Sequence, residues 1–177
     1  MTFRPVRSRE LGRGVLIALE SLELIAPDGR PIVRDVVRHP GGVAVLPVAD
    51  ERVWLVDQYR PAIGRRILEV PAGKLDHPGE PPLDAAVREL GEEMGMSAGR
   101  WVSLGAMLPS PGYTDEVIHL FAADGIVAGK RRPQGAEEDD AVIVELALDD
   151  AMGRLERGEI DDAKTQLALL AWTRRRT

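Results

Sequence analysis

The chain has 177 residues, 44% of them hydrophobic and 29% charged, with a formal net charge of −6. That length suits one globular domain with a sizeable core, and the acidity excludes nonspecific nucleic-acid binding, which needs a basic footprint. There is no cysteine, hence no disulfide or thiol chemistry, and no 18-residue apolar run; a cytoplasmic location without a membrane partner is expected.

In chain order, the first 40 residues read as strands. Residues 15–25 are rich in aliphatics and end at Pro27-Asp28-Gly29, a turn signal, and residues 32–37 follow as the partner strand. Residues 41–48 form another apolar run, which Asp50-Glu51 turns into a strand over 53–59. A short strand over 67–70 leads into Pro71-Ala72-Gly73, and Lys74 to Gly79 is a loop. A helix is predicted from the Pro81-Pro82 pair, where proline fits the first turn, to Gly95. Strands are predicted over 101–107, 117–123 and 142–148, with a polar loop over 131–140 and helices over 149–157 and 160–175. Strands before, around and after one helix, with helices at the C-terminus, predict a mixed sheet between helices, an α/β (α+β) fold.

The helix after Pro82 is the chemically informative element. Turning by about 100° per residue, it places Glu89, Glu92 and Glu93 within an arc of roughly 100°. Leu83, Ala86, Val87, Leu90 and Met94 form a separate stripe suited to burial, which leaves the acids facing solvent. An acidic helix face is commonly just solvated. Here, however, like charges at i, i+3 and i+4 cost about 0.2–0.5 kcal/mol per pair and no lysine lies among them. A bound cation such as Mg²⁺ would relieve that repulsion and neutralise a phosphate substrate that this acidic chain would otherwise repel. The histidines, His39, His77 and His119, are scattered without zinc-ligand spacing, and Ser110 lacks a nucleophile elbow.

The run Arg88-Glu89-Leu90-Gly91-Glu92-Glu93-Met94-Gly95-Met96 resembles the signature of the Nudix hydrolases, which cleave nucleoside diphosphates linked to another moiety. From average residue usage, a chance match in this chain is on the order of 10⁻⁵. In one place the spacing departs from the family pattern. Six residues rather than five separate Gly73 from Glu80, which lengthens the loop and leaves the helix spacing intact. The resemblance implies an α/β/α sandwich with a mixed central sheet. It also implies metal held by Glu89, Glu92, Glu93 and the Ala72 carbonyl, with Mg²⁺ as the ion and Mn²⁺ as an alternative. Arg88 and Glu93 fall in the implied catalytic set, Arg88 as the residue that orients the helix carboxylates.

Further segments resemble the ADP-ribose and ADP-sugar pyrophosphatase branch. Residues 1–40 correspond to an N-terminal strand extension that exchanges within a homodimer, with residues 41–177 as the hydrolase domain. Arg60 and Glu69 correspond to substrate contacts, as do Gly112 and Glu116 in the segment Ser110 to Glu116, although each also reads as an ordinary strand-end or turn residue. The acids Glu137 to Asp140 read either as a solvated loop or, by the resemblance, as the segment that carries the catalytic base, Glu138 first and Glu137 next. The implied activity is metal-dependent hydrolysis of a nucleoside diphosphate sugar, ADP-ribose giving AMP and ribose 5-phosphate. The alternatives are a GDP- or UDP-sugar substrate, or a nucleotide-metabolite sensor with weak turnover.

Overall fold

The computed structural model describes residues 2–132 and 136–175. The chain divides into two compact units, one of Met1–Gly41 with Leu108–Val117, the other of Gly42–Met107 with Ile118–Thr177.

The first unit is a three-stranded antiparallel sheet in the order β1 (Arg4–Arg13), β2 (Ala18–Ile25), β3 (Pro31–Arg38). β2 and β3 lie where residues 15–25 and 32–37 predict them. Gly29, at φ +89°, supplies the left-handed residue that their connecting turn requires. β1 falls within the first 40 residues that read as strands, but the sequence set no bounds for it: RPVRSRELGR has no apolar alternation, and every residue in it is exposed. Residues 108–117 return to this unit, where the Val37 N–H donates to the Tyr113 carbonyl at 2.7 Å.

The second unit is built on a seven-stranded mixed sheet: β4 (Gly42–Ala49), β5 (Arg52–Arg60), β6 (Arg65–Glu69), β7 (Ala72–Lys74), β8 (Met96–Met107), β9 (Ile118–Ala128) and β10 (Val142–Ala147). The spine runs β10-β5-β4-β9-β8, with β6 on β5 and β7 on β4, and only the β4–β9 pair is parallel. Asp50 and Glu51, at φ 46° and 63°, make the tight hairpin from β4 to β5. Among the described residues, four helices accompany the sheet: α1 (Pro82–Met94), α2 (Ala136–Asp140), α3 (Leu148–Glu156) and α4 (Ala163–Arg174).

β4 explains the layering. Residues alternate across a strand, and here both sets are buried. Val43 and Val45 pack with Ala85, Ala86, Leu90 and Met94 of α1, whereas Ala44, Leu46 and Val48 join the cluster of Leu148, Ala151, Ala168, Leu169 and Trp172 from α3 and α4. One face of the sheet therefore carries α1 and the other α3 with α4. This is the α/β/α arrangement that the resemblance implies.

Three local expectations are corrected. The segment over 131–140 is not all loop, because α2 closes at Asp140 and hands the chain to β10. Lys74 belongs to strand β7 rather than to the loop after it, since Gly42 to Ala44 offer a pairing edge that composition does not reveal. β8 starts at Met96, immediately after α1, rather than near Trp101. Among the described residues, no helix is long and apolar enough to cross a membrane.

Candidate active site

α1 begins at Pro82, with Pro81 as its N-cap, and ends at Gly95, whose φ of 63° gives the left-handed C-cap. Its buried face is not the expected stripe. Leu83 and Val87 are 40% and 47% exposed, while Ala85, Ala86, Leu90 and Met94 are buried together with Glu89 and Glu93. The acids were expected to face solvent, and two of the three are instead packed beneath the sheet's edge. The helix is rotated so that small alanines meet β4, which brings the carboxylates against the strand backbone.

What receives them is β7. A Cβ on Gly73 would lie 1.8 Å from Cδ of Glu89, so the Glu89 side chain occupies the space that only glycine leaves open. The Ala72 N–H donates to Oε2 of Glu93 at 3.1 Å. The residues on either side are anchored as well. The Pro71 carbonyl accepts from the Val45 N–H at 3.0 Å, and the Val70 N–H donates to Oγ1 of Thr165 at 2.8 Å. Three successive residues are thus pinned to α4, β4 and α1 in turn, which fixes the backbone under Glu89 and Glu93.

Arg88 spans the other side of the acids. Its guanidinium donates to both carboxylate oxygens of Glu80 at 3.0 and 2.9 Å, to Glu89 at 2.7 Å and to Glu92 at 3.2 Å. This Glu80 bond, followed by those to the helix acids, raises the Arg88 pKa further, and in return it lowers that of Glu80. Glu80, which the sequence offered only as a spacing marker, is therefore the residue that aims Arg88.

The electrostatics of the two buried acids follow from this placement. Burial raises the pKa of Glu89, and Arg88 offsets only part of that. Glu93 is pushed up to about 8, first by burial and then by the charges of Glu89 and Glu138, against the Ala72 N–H and the more distant Arg60. Glu138, in α2, is thus close enough for its charge to be felt by both helix acids. Glu137 follows the same helix, but its side chain lies outside the described residues.

Arg60, at the end of β5, makes a two-pronged ion pair with Glu69 at 2.6 and 2.8 Å. Glu69 is fully buried and also accepts from Nζ of Lys164, which reaches Asp162 at 2.8 Å. Both Glu69 oxygens are engaged by cations. Asp162 caps α4 through the Thr165 N–H at 3.0 Å. Sequence reasoning passed over Asp162, Lys164 and Thr165; the signal was the Asp-x-x-Thr spacing at a helix start. Gly112 and Glu116 belong to the first unit, where Oε1 of Glu116 lies 3.6 Å from Nδ1 of His39.

Among the described residues, no three carboxylates or imidazoles form a ready-made ligand cage. The donors nonetheless suit a hard divalent cation. Glu89 and Glu93 are buried carboxylates with raised pKa values, held against one backbone segment through a glycine-only space.

The sequence model of the NUDIX domain matches residues 38–168. This chain belongs to the Nudix family. It is 38% identical over 159 residues to an ADP-ribose pyrophosphatase of Bacillus subtilis (strain 168), covering 89% of this chain and 84% of that protein. It is 36% identical to an ADP-ribose pyrophosphatase of Mycobacterium tuberculosis, covering 96% and 82% of the two chains. It is also 36% identical to a methanol dehydrogenase activator of Bacillus methanolicus, covering 94% and 90%. Among solved structures, a protein described as an ADP compounds hydrolase superposes with a TM-score of 0.86 at 23% identity, over 99% of this chain and 94% of that one, a likeness of fold.

Proposed function

We propose that this Nudix protein is a pyrophosphohydrolase of nucleoside diphosphate sugars, acting on ADP-ribose to give AMP and ribose 5-phosphate. The observation that carries the reading is the pairing of Glu89 and Glu93 on the Ala72–Gly73 backbone, with the charge of Glu138 reaching both acids. The names of the Bacillus and Mycobacterium relatives support the substrate.

Glu89, Glu92, Glu93 and the Ala72 carbonyl would hold a divalent cation, with Mg²⁺ proposed. When bound, the ion supplies charge neutralisation at the diphosphate and acidifies water. The rest of the work belongs to side chains. Arg88 keeps Glu89 and Glu92 directed while Glu80 holds Arg88 in place. Glu138 accepts the proton of the attacking water as general base. Arg60 turns its positive charge toward the substrate phosphates, its position set by Glu69. Gly112 and Glu116 are proposed to line the sugar-nucleotide pocket, and Glu137 stands as the alternative base. Residues 1–40 form a dimer-exchange extension on the domain of residues 41–177. The exposed Phe3, Val6, Leu11, Val15 and Val33 of that extension support a homodimer. The location proposed is the cytoplasm.

The test is a panel of ADP-ribose, ADP-glucose, GDP-mannose and UDP-glucose with purified protein and Mg²⁺, products being separated by chromatography. AMP released from ADP-ribose well above the other products is the expected result. Preference for GDP-mannose would move the substrate class. A flat panel with tight ADP-ribose binding would make the protein a sensor.

A further inference from the structure

The C-terminal end of α1 is capped from outside the helix. A helix leaves its last carbonyls without intrahelical partners and carries partial negative charge there, and α1 has no basic residue in its last turn. Residues 129–132 supply what is missing. The Gly129 N–H donates to the Gly95 carbonyl at 2.5 Å, and the Arg132 N–H donates to the Glu92 carbonyl at 2.9 Å. Nε of Arg131 donates to the Glu93 carbonyl at 2.6 Å. The approach requires Gly95, where a Cβ would stand 2.4 Å from the Arg131 nitrogen.

The same guanidinium reaches in a second direction. Nη2 of Arg131 donates to the Glu138 carbonyl at 3.0 Å, and Nη1 donates to the Ala141 carbonyl at 3.2 Å. One half-buried side chain therefore joins the backbone of Glu93, on the signature helix, to the backbone of Glu138. The planar guanidinium spreads its N–H donors over three nitrogens and so spans carbonyls on separate segments, whereas a lysine's three N–H bonds radiate from a single nitrogen.

We propose that Arg131 is a positioning residue, fastening residues 138–141 to the C-terminal end of α1 and so holding the Glu138 carboxylate beside Glu89 and Glu93. This rests on the reading of Glu138 as general base, and the experiment separates the two ideas. Hydrogen exchange over residues 138–142 is measured in full-length protein and in Arg131→Met, alongside steady-state kinetics of Arg131→Met, Arg131→Lys, Glu138→Gln and the double variant Arg131→Met/Glu138→Gln. Arg131→Met is expected to speed exchange over 138–142 and to lower kcat by about 30-fold with KM changed less than about threefold, as for a misplaced catalytic group. Arg131→Lys is expected not to rescue kcat, and Arg131→Met is expected to cost nothing further once Glu138→Gln is present. Native exchange with kcat near that of the parent would overturn the proposal, as would independent, multiplying losses in the double variant. If Glu138→Gln alone turns over normally, the base assignment falls, and the Arg131 inference stands or falls on the exchange data.

Discussion

Burial holds the Glu93 carboxyl near 8 against an ordinary 4.5, so the folded, metal-free protein binds a proton there that the unfolded chain has released. Between those two values the native state holds more protons, and stability must fall as pH rises. In EDTA, thermal melts taken from pH 5 to pH 8.5 should show a declining midpoint. Glu93→Gln, which cannot ionise, should flatten that slope while losing most turnover. An unchanged slope in the variant would mean that another group titrates. Gly73 gives a second test at single-residue resolution, since its missing Cβ is the space in which Glu89 lies. Gly73→Ala should displace the Glu89 carboxylate and lower turnover by about 100-fold, with an overpacking cost of about 1–3 kcal/mol. A kinetic assay beside a calorimetric melt reads both, and near-normal turnover would show that Glu89 has another place to go.

Among the elements, α4 does more than cover the sheet. Its first turn anchors the β6–β7 connection through Thr165, a fully buried residue whose hydroxyl accepts from the buried Val70 N–H. Thr165→Val keeps the shape and removes the acceptor, so the N–H is stranded at a cost of about 1–3 kcal/mol, whereas Thr165→Ser should stay close to the parent. Urea denaturation distinguishes them, and equal midpoints would mean that the N–H finds another partner. The Asp-x-x-Thr spacing marks the start of α4 in the sequence, but the contact with Val70 was not legible there, because residues 70 and 165 meet only when the sheet and α4 pack. What could be read were local patterns: the prolines that open α1, the glycine that ends it, and the apolar runs of β4 and β5. The acids of α1 were visible too, but not their burial. Alternative apolar stripes on that helix differ by a modest rotation, and the choice fell to Ala85 and Ala86 fitting β4, a tertiary matter. The bounds of β1 were hidden for a different reason, since a strand whose residues are all exposed has no apolar alternation to delimit it.

For the whole molecule, the question is what the first unit does with its surface. The unit leaves Phe3, Val6, Leu11, Val15 and Val33 exposed on and beside its three strands, apolar surface that a partner would cover. β1 also ends the sheet as an edge strand, and its four arginines give that edge some charge to resist indiscriminate pairing. A second copy of the chain is the occupant proposed here, because a two-fold arrangement lets one patch bury its own counterpart. Light scattering should therefore return twice the mass of one chain at micromolar concentration. The double variant Val6→Asp/Val33→Asp, altering two exposed positions on β1 and β3, should shift the population toward the monomer while leaving the secondary structure measured by circular dichroism unchanged. If the dimer also completes the substrate pocket, that variant should lose activity in a way that raising protein concentration restores, because mass action rebuilds the interface. A parent protein that scatters as a monomer would remove both expectations at once. A monomeric variant with full activity would retain the dimer and detach it from catalysis.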